Sequence, residues 1–169
     1  MNDDASGRSD SGWPRAPGPA EDELRASLEA LGRKEVSAAD VLGMSPEILD
    51  RLLAQAIGLV ALGHLDSAEP LLAGLARASA TNPRPSFVLA ALRAKRGAHL
   101  EALEAYAQAL LAAAQLGDEP TRQHVLFCRA QSLVAVGDRA HAVLDLIEAS
   151  KGPDPNVCQD ANGWLKELT

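Results

Sequence analysis

Leu62-Gly63-His64-Leu65-Asp66-Ser67-Ala68 and Val136-Gly137-Asp138-Arg139-Ala140-His141-Ala142 share one layout, a glycine after a large apolar residue and an alanine five residues beyond it. Gly97 with Ala102 is a third copy. Seven residues before these glycines stand Ala56, Ala90 and Ala130, and nine after them stand Leu72, Tyr106 and Leu146. Each glycine separates two stretches of helical periodicity, so each reads as the turn of a helical hairpin. Glycine takes a positive φ without strain, paired alanines let helix backbones approach, and a large residue fills the space between hairpins. Gly63 and Gly97 are 34 residues apart, a spacing of stacked helix pairs, while Gly97 and Gly137 are 40 apart, six more. An irregular alanine-rich bundle also produces such coincidences. The threefold recurrence of all four positions favours a stack.

Outward from these turns the chain reads as helix after helix. Ser45-Pro46 is a helix start, a hydroxyl cap followed by proline in the first turn. Leu49, Leu52, Leu53, Ala56, Ile57 and Val60 follow at helical spacing up to Gly63. Leu65, Ala68, Leu71, Leu72 and Leu75 mark a second helix, which Asn82-Pro83-Arg84-Pro85 breaks. Phe87, Leu89, Ala90 and Leu92 lead to Gly97; Leu100, Leu103, Tyr106 and Leu110 lead to Gly117-Asp118-Glu119-Pro120. Two helices flank Gly137, and Val157, Ala161, Trp164, Leu165 and Leu168 form a closing amphipathic stripe. No segment alternates as a strand does. The expected class is all-α, with an array over 45–168 in pairs of about 45–82, 83–118 and 119–152 and a capping helix over 155–168.

The N-terminal part differs. Residues 1–20 are rich in Gly, Ser, Pro and Asp, with Trp13 the one large apolar side chain, and read as a disordered tail. Residues 21–44 form an N-terminal helical region: Glu21, Asp22 and Glu23 suit a helix start, Leu24, Leu28 and Leu31 share a face, and Gly32 ends it. A short turn over 38–42 follows Ser37 as cap.

Composition narrows the function. Ala and Leu make up about a third of the 169 residues and aromatics 3%, a helix-former's balance. A net charge of −7 leaves no excess of Lys and Arg to replace phosphate counterions, so no nucleic-acid partner is expected. No uncharged apolar run reaches the ~18 residues a membrane span needs, and the start lacks the layout of a signal peptide. Cys128 and Cys158 are too few for a disulfide scaffold and fit a reducing compartment.

From Met44 to Lys151 the chain resembles the tetratricopeptide repeat family, on the turn motifs at 62–68 and 136–142. Its layout is similar to one branch, the class II chaperones of bacterial type III secretion, which hold translocator proteins. Ser45-Pro46-Glu47-Ile48-Leu49-Asp50-Arg51-Leu52 resembles that branch's lead into the first repeat, and Leu62 to Glu69 its first hairpin. Asn162-Gly163-Trp164-Leu165-Lys166-Glu167-Leu168 is similar to its closing helix. Two features set this chain apart: the six-residue excess, placed near Gln115 to Arg122, and a groove poorer in aromatics.

The resemblance implies a right-handed superhelix of three helix pairs and a cytoplasmic, bacterial carrier. Its partner would be a translocator or other secreted protein, held as an extended segment in a concave groove until export. It also makes the Leu24, Leu28, Leu31 stripe of the N-terminal helix a candidate homodimer surface, although the stripe could equally fold back onto the first hairpin, and it implies no stable membrane association. Inward positions of the stack would be Leu53, Ile57 and Val60, then Phe87, Ala91 and Ala94, then Phe127, Gln131 and Val134, with Lys95 and His124 nearby. Each of these is also open to a core role. Phe87 and Phe127 stand out because both fall ten residues before a turn glycine, an offset that Leu53 fills in the first pair.

Chemistry has no foothold in the sequence: no catalytic residue, no metal site and no cofactor is expected. His64, His99 and His141 fall at separate hairpin turns and read as solvated, and neither His-x-x-x-His nor Cys-x-x-Cys occurs. Glycine-rich phosphate loops are absent. Cys128 reads as a small core residue and Cys158 as exposed. Lys95 alone does not make the basic clamp with which some tetratricopeptide domains grip a peptide C-terminus. Two other readings stay open, a tetratricopeptide scaffold in another bacterial assembly and a small helical enzyme or sensor.

Overall fold

The computed structural model describes Ala26 and residues 43–168. The tail over 1–20, the Leu24, Leu28, Leu31 stripe and the turn over 38–42 lie outside the described residues. Within them run seven helices and no strand: α1 (Pro46–Ala61), α2 (Leu65–Ala78), α3 (Pro83–Lys95), α4 (His99–Leu116), α5 (Glu119–Ala135), α6 (Arg139–Ala149) and α7 (Pro155–Leu168). The chain is an all-α, tetratricopeptide-like array.

Local chemistry sets the helix ends. Ser45 precedes α1 in extended backbone, φ −71° and ψ 151°, but its hydroxyl makes no cap hydrogen bond. It bonds the Glu47 carboxylate instead, which lowers that group below its ordinary value. The expected hydroxyl cap is therefore corrected, because Glu47 competes for the same side chain. Caps appear elsewhere: Asn82, Asp118 and Asp138 accept from the N–H groups of Arg84, Thr121 and His141 at 3.0, 3.1 and 3.2 Å. Pro83 and Pro85 belong to the first turn of α3 and are buried, so that proline run starts a helix as well as ending one.

The three hairpin turns are alike. Gly63, Gly97 and Gly137 have φ of 82°, 79° and 87°. Each glycine N–H donates to the carbonyl three residues back (Val60, Ala94, Val134), and the next N–H donates five back (Leu59, Arg93, Leu133). Such a left-handed ending satisfies the last carbonyls of the helix and reverses the chain in two residues. The nine alanine, leucine and tyrosine positions that accompany these glycines are all 2% exposed or less. They form the spine of two adjoining apolar clusters that meet at Leu110.

Stacking gives the array a bend. Each helix touches the next, and α1 also touches α3, α3 touches α5 and α5 touches α7. Among the described residues α2, α4 and α6 make no such contacts with one another. The first helices of the pairs are therefore drawn together on the inner side and the second helices spread on the outer side.

The six-residue excess is not an inserted loop near Gln115 to Arg122. α4 has 18 residues against 14 in α2, and α5 has 17 against 13 in α3. The connection shrinks from four residues (79–82) to two (Gly117 and Asp118). One added turn on each helix lengthens the hairpin by about 5 Å without unstacking it. The added turn of α5 brings Arg122, which pairs with Glu148 of α6.

Polar pins fix the C-terminal end. Arg129 of α5 holds Asp145 of α6 by two bonds of 2.7 and 2.6 Å, and Asp145 is the one buried carboxylate among the described residues. Gln123, also buried, donates to the carbonyls of Ala149 and Asp154 at 2.8 and 3.0 Å and accepts from the Asp154 N–H at 2.7 Å. Gly152 lies directly on this amide. A Cβ there would stand 2.6 Å from Gln123 Cγ and Oε1 and closer still to Cδ. Gly152→Ala must expel a side chain held by three bonds, so a loss of about 2–3 kcal/mol is expected. Urea denaturation of this variant and of Gln123→Ala with Gly152→Ala checks it: the double variant should lose less than the sum of the singles.

Candidate peptide-binding groove

The inner side of the bend is built from α1, α3, α5 and the capping α7. Ala91 and Ala94 of α3 and Gln131 of α5 come together at a cavity of 310 Å³, with Lys95, His99, Tyr106, Cys128 and Ser132. Phe127 and Gln131 line a second, wider cavity of 780 Å³ against Gln159, Gly163, Trp164 and Lys166 of α7. Gln131 belongs to both, so the two hollows adjoin. Alanines give the first a small-residue floor; the second sets the Phe127 and Trp164 rings among polar side chains of α7, Asp160, Asn162 and Glu167 included.

The other proposed inward positions have different surroundings. Leu53 is 5% exposed and belongs to the core, a correction to its expected place on an open lining. Ile57 lies exposed on α1 at 45%. Val60 and Phe87 are half-buried against the first apolar cluster and Val134 against the second. The Phe87 ring packs on Tyr106, centroids 6.3 Å apart and planes tilted by 46°. Phe127 shares Phe87's offset but packs on the second cluster and borders the α7 cavity.

A short polar chain runs behind the first cavity. The Tyr106 hydroxyl is hydrogen-bonded with Ser132, and burial holds its ionisation well above the ordinary phenol range. Ser132 Oγ also lies 3.5 Å from His99 Nδ1. His99 is thus half-buried at the groove, not a solvated turn residue as expected, because Ser132 of α5 lies against its ring. His64 and His141 are exposed, and His141 bonds Asp138 at 2.8 Å. His124 turns to the Pro120 carbonyl at 2.9 Å and to Asp154 at 3.4 Å, toward the α6–α7 connection rather than the cavities. Cys128 packs on the first cluster while bordering the cavity, and burial pushes its thiol up to about 11. Cys158 is half-buried, its Sγ 3.3 Å from the Gly152 carbonyl and from Gln123 Nε2. Among the described residues, no three His, Cys, Asp or Glu side chains converge to hold a metal.

Ser132, His99 and Trp164 were not singled out as inward positions from the sequence. Trp164 had a visible cue, its place on the α7 stripe, but which neighbour α7 caps depends on the connection that Gln123 ties down. Ser132 and His99 carry no pattern of their own.

No protein-family model and no curated protein matches the chain. Solved structures do. A T3SS complex from Aeromonas hydrophila superposes with a TM-score of 0.75 at 19% identity, covering 85% of this chain and 95% of that one. The type III secretion translocator chaperone SycD of Yersinia enterocolitica superposes with a TM-score of 0.69 at 18% identity, covering 78% and 98%. No helix among the described residues is long and apolar enough to cross a membrane. In fold, the chain resembles the class II translocator chaperones of type III secretion.

Proposed function

We propose that the chain is a cytoplasmic chaperone of bacterial type III secretion that holds an extended, apolar segment of a translocator in its concave groove before export. The observation that carries this is the adjoining pair of hollows on the inner side, one walled by Phe127 and Trp164. An extended segment can lay alternate side chains into such hollows. Burial there gains on the order of 25 cal/mol per Å², offset by the ordering of the segment, so micromolar affinity is expected. Binding needs no cofactor and no catalytic step. Co-expression with a membrane-active translocator from a type III secretion system tests it. A soluble complex is expected; a translocator that stays insoluble beside soluble chaperone contradicts it.

A scaffold role in another bacterial assembly has one observation in its favour. Leu100 and Leu111 of α4 and Leu144 and Ile147 of α6 are exposed on second helices of the pairs, where a partner would meet the outer side.

A homodimer through the N-terminal helix is part of the same proposal. Ile48, Leu52, Gln55 and Leu59 form one stripe of α1, with Ile48 and Gln55 exposed. At the matching offsets Leu52 and Gln55 give way to buried Ser86 and Leu89 in α3, where a preceding helix covers them. End repeats of a stack need a cover, and this stripe of α1 offers the place for one. Deleting residues 1–36 should turn a dimer into a monomer by light scattering; an unchanged dimer contradicts the assignment.

A further inference from the structure

The 310 Å³ cavity between α3, α4 and α5 has a property that an apolar client does not use. No acidic side chain lines it, although the chain carries 23 Asp and Glu against 16 Lys and Arg. Its cation is Lys95, the last residue of α3. Arg93, Arg96, Arg122 and Arg129 are each paired with a carboxylate. Among the described residues neither the Lys95 ammonium nor the Gln131 amide has a hydrogen-bond or ion-pair partner. His99 meets Ser132 through Nδ1, which leaves Nε2 free to face a guest. Ala91 and Ala94 keep the floor open.

Unused donors around a hollow free of carboxylates are complementary to an anion. A charge-assisted bond in a partly enclosed site is stronger than one between solvated side chains. We propose that this cavity takes an Asp or Glu side chain of the client segment, with Lys95 as counter-charge and Gln131 and His99 as hydrogen-bond donors, while the Phe127–Trp164 hollow takes an apolar side chain of the same segment. The proposal rests on the peptide-groove function above and adds a sequence preference to it. Because Gln131 borders both hollows, the acidic and apolar residues stand close together in the client and on the same face of it.

The test uses random peptides displayed on phage, selected against the full chain and against Lys95→Glu, with circular dichroism confirming that both are folded. Lys95 is exposed, so the substitution leaves the core alone. The unmodified chain should enrich peptides with Asp or Glu at a fixed spacing from an apolar residue, and Lys95→Glu should enrich Lys or Arg at that place. A selected peptide resynthesised with Glu replaced by Gln should bind the chain about tenfold more weakly. Lys95→Gln should no longer tell the two peptides apart. Enrichment without an acidic preference, or the same acidic preference in Lys95→Glu, overturns the proposal and leaves the groove standing. If no peptide is enriched, or if enriched peptides bind Phe127→Ala with Trp164→Ala unchanged, the groove itself is overturned and the proposal with it.

Discussion

Tyr106→Ala should lose about 3–5 kcal/mol of folding stability. Tyr106 is 2% exposed and lies where the first apolar cluster meets the third hairpin. Its ring supports Phe87, and its hydroxyl reaches Ser132 across on α5. Truncation removes a ring between two hairpins that the core cannot replace, because Ala90, Ala102 and Ala105 of the same cluster are small and already buried. It also leaves Ser132, 1% exposed, without that bond. A domain's whole margin is about 5–15 kcal/mol, so the variant should be partly unfolded near 37 °C. Tyr106→Phe keeps the ring and should lose only about 1 kcal/mol. Urea titrations followed by circular dichroism measure both. A Tyr106→Ala midpoint equal to that of the unmodified chain would sink the picture of a continuous stacked core.

Phe127→Ala with Trp164→Ala should weaken client binding a hundredfold or more while the helices persist. Both rings are half-buried, packed on the second cluster on one side and open to the 780 Å³ hollow on the other. Aromatic anchors of this kind contribute about 2 kcal/mol or more each in well-packed interfaces, and two of them make a hundredfold change in affinity conservative. Phe87→Ala should behave differently. Its ring packs on Tyr106, so it should lower stability by about 2–3 kcal/mol and affect binding less. Calorimetric titration with a co-purified client segment, beside thermal melts, separates the two effects. If the Phe127 and Trp164 variant unfolds, those rings belong to the core and the groove assignment is wrong.

The fold was legible because a tight hairpin constrains composition. Positive φ at Gly63, Gly97 and Gly137, alanine at close approaches and a large residue between pairs are local demands, and they recur with the turn. The site was legible only in part. Of the inward positions that the family resemblance implies, Ala91, Ala94, Phe127 and Gln131 border hollows of the inner side. The offset of Phe127 puts Leu53 in the core, because a leucine there packs inward where Phe127 has α7 beside it. Tertiary pins left no trace in periodicity. Gln123, Arg129 and Asp145 look like ordinary polar residues of helices, yet they decide where α6 and α7 lie. The six-residue excess was visible as a number, but whether it made a loop or longer helices depended on Gly117 ending α4 late, with φ of 66°.

A photo-crosslinking amino acid placed in turn at Ala91, Gln131 and Leu144, in the chain complexed with its co-expressed translocator, tests the central claim most directly. Ala91 and Gln131 line the inner hollows, and Leu144 is exposed on α6. Irradiation should join the translocator to positions 91 and 131 and not to 144. Crosslinks from 144 with none from 91 or 131 would put the client on the outer side and contradict the groove.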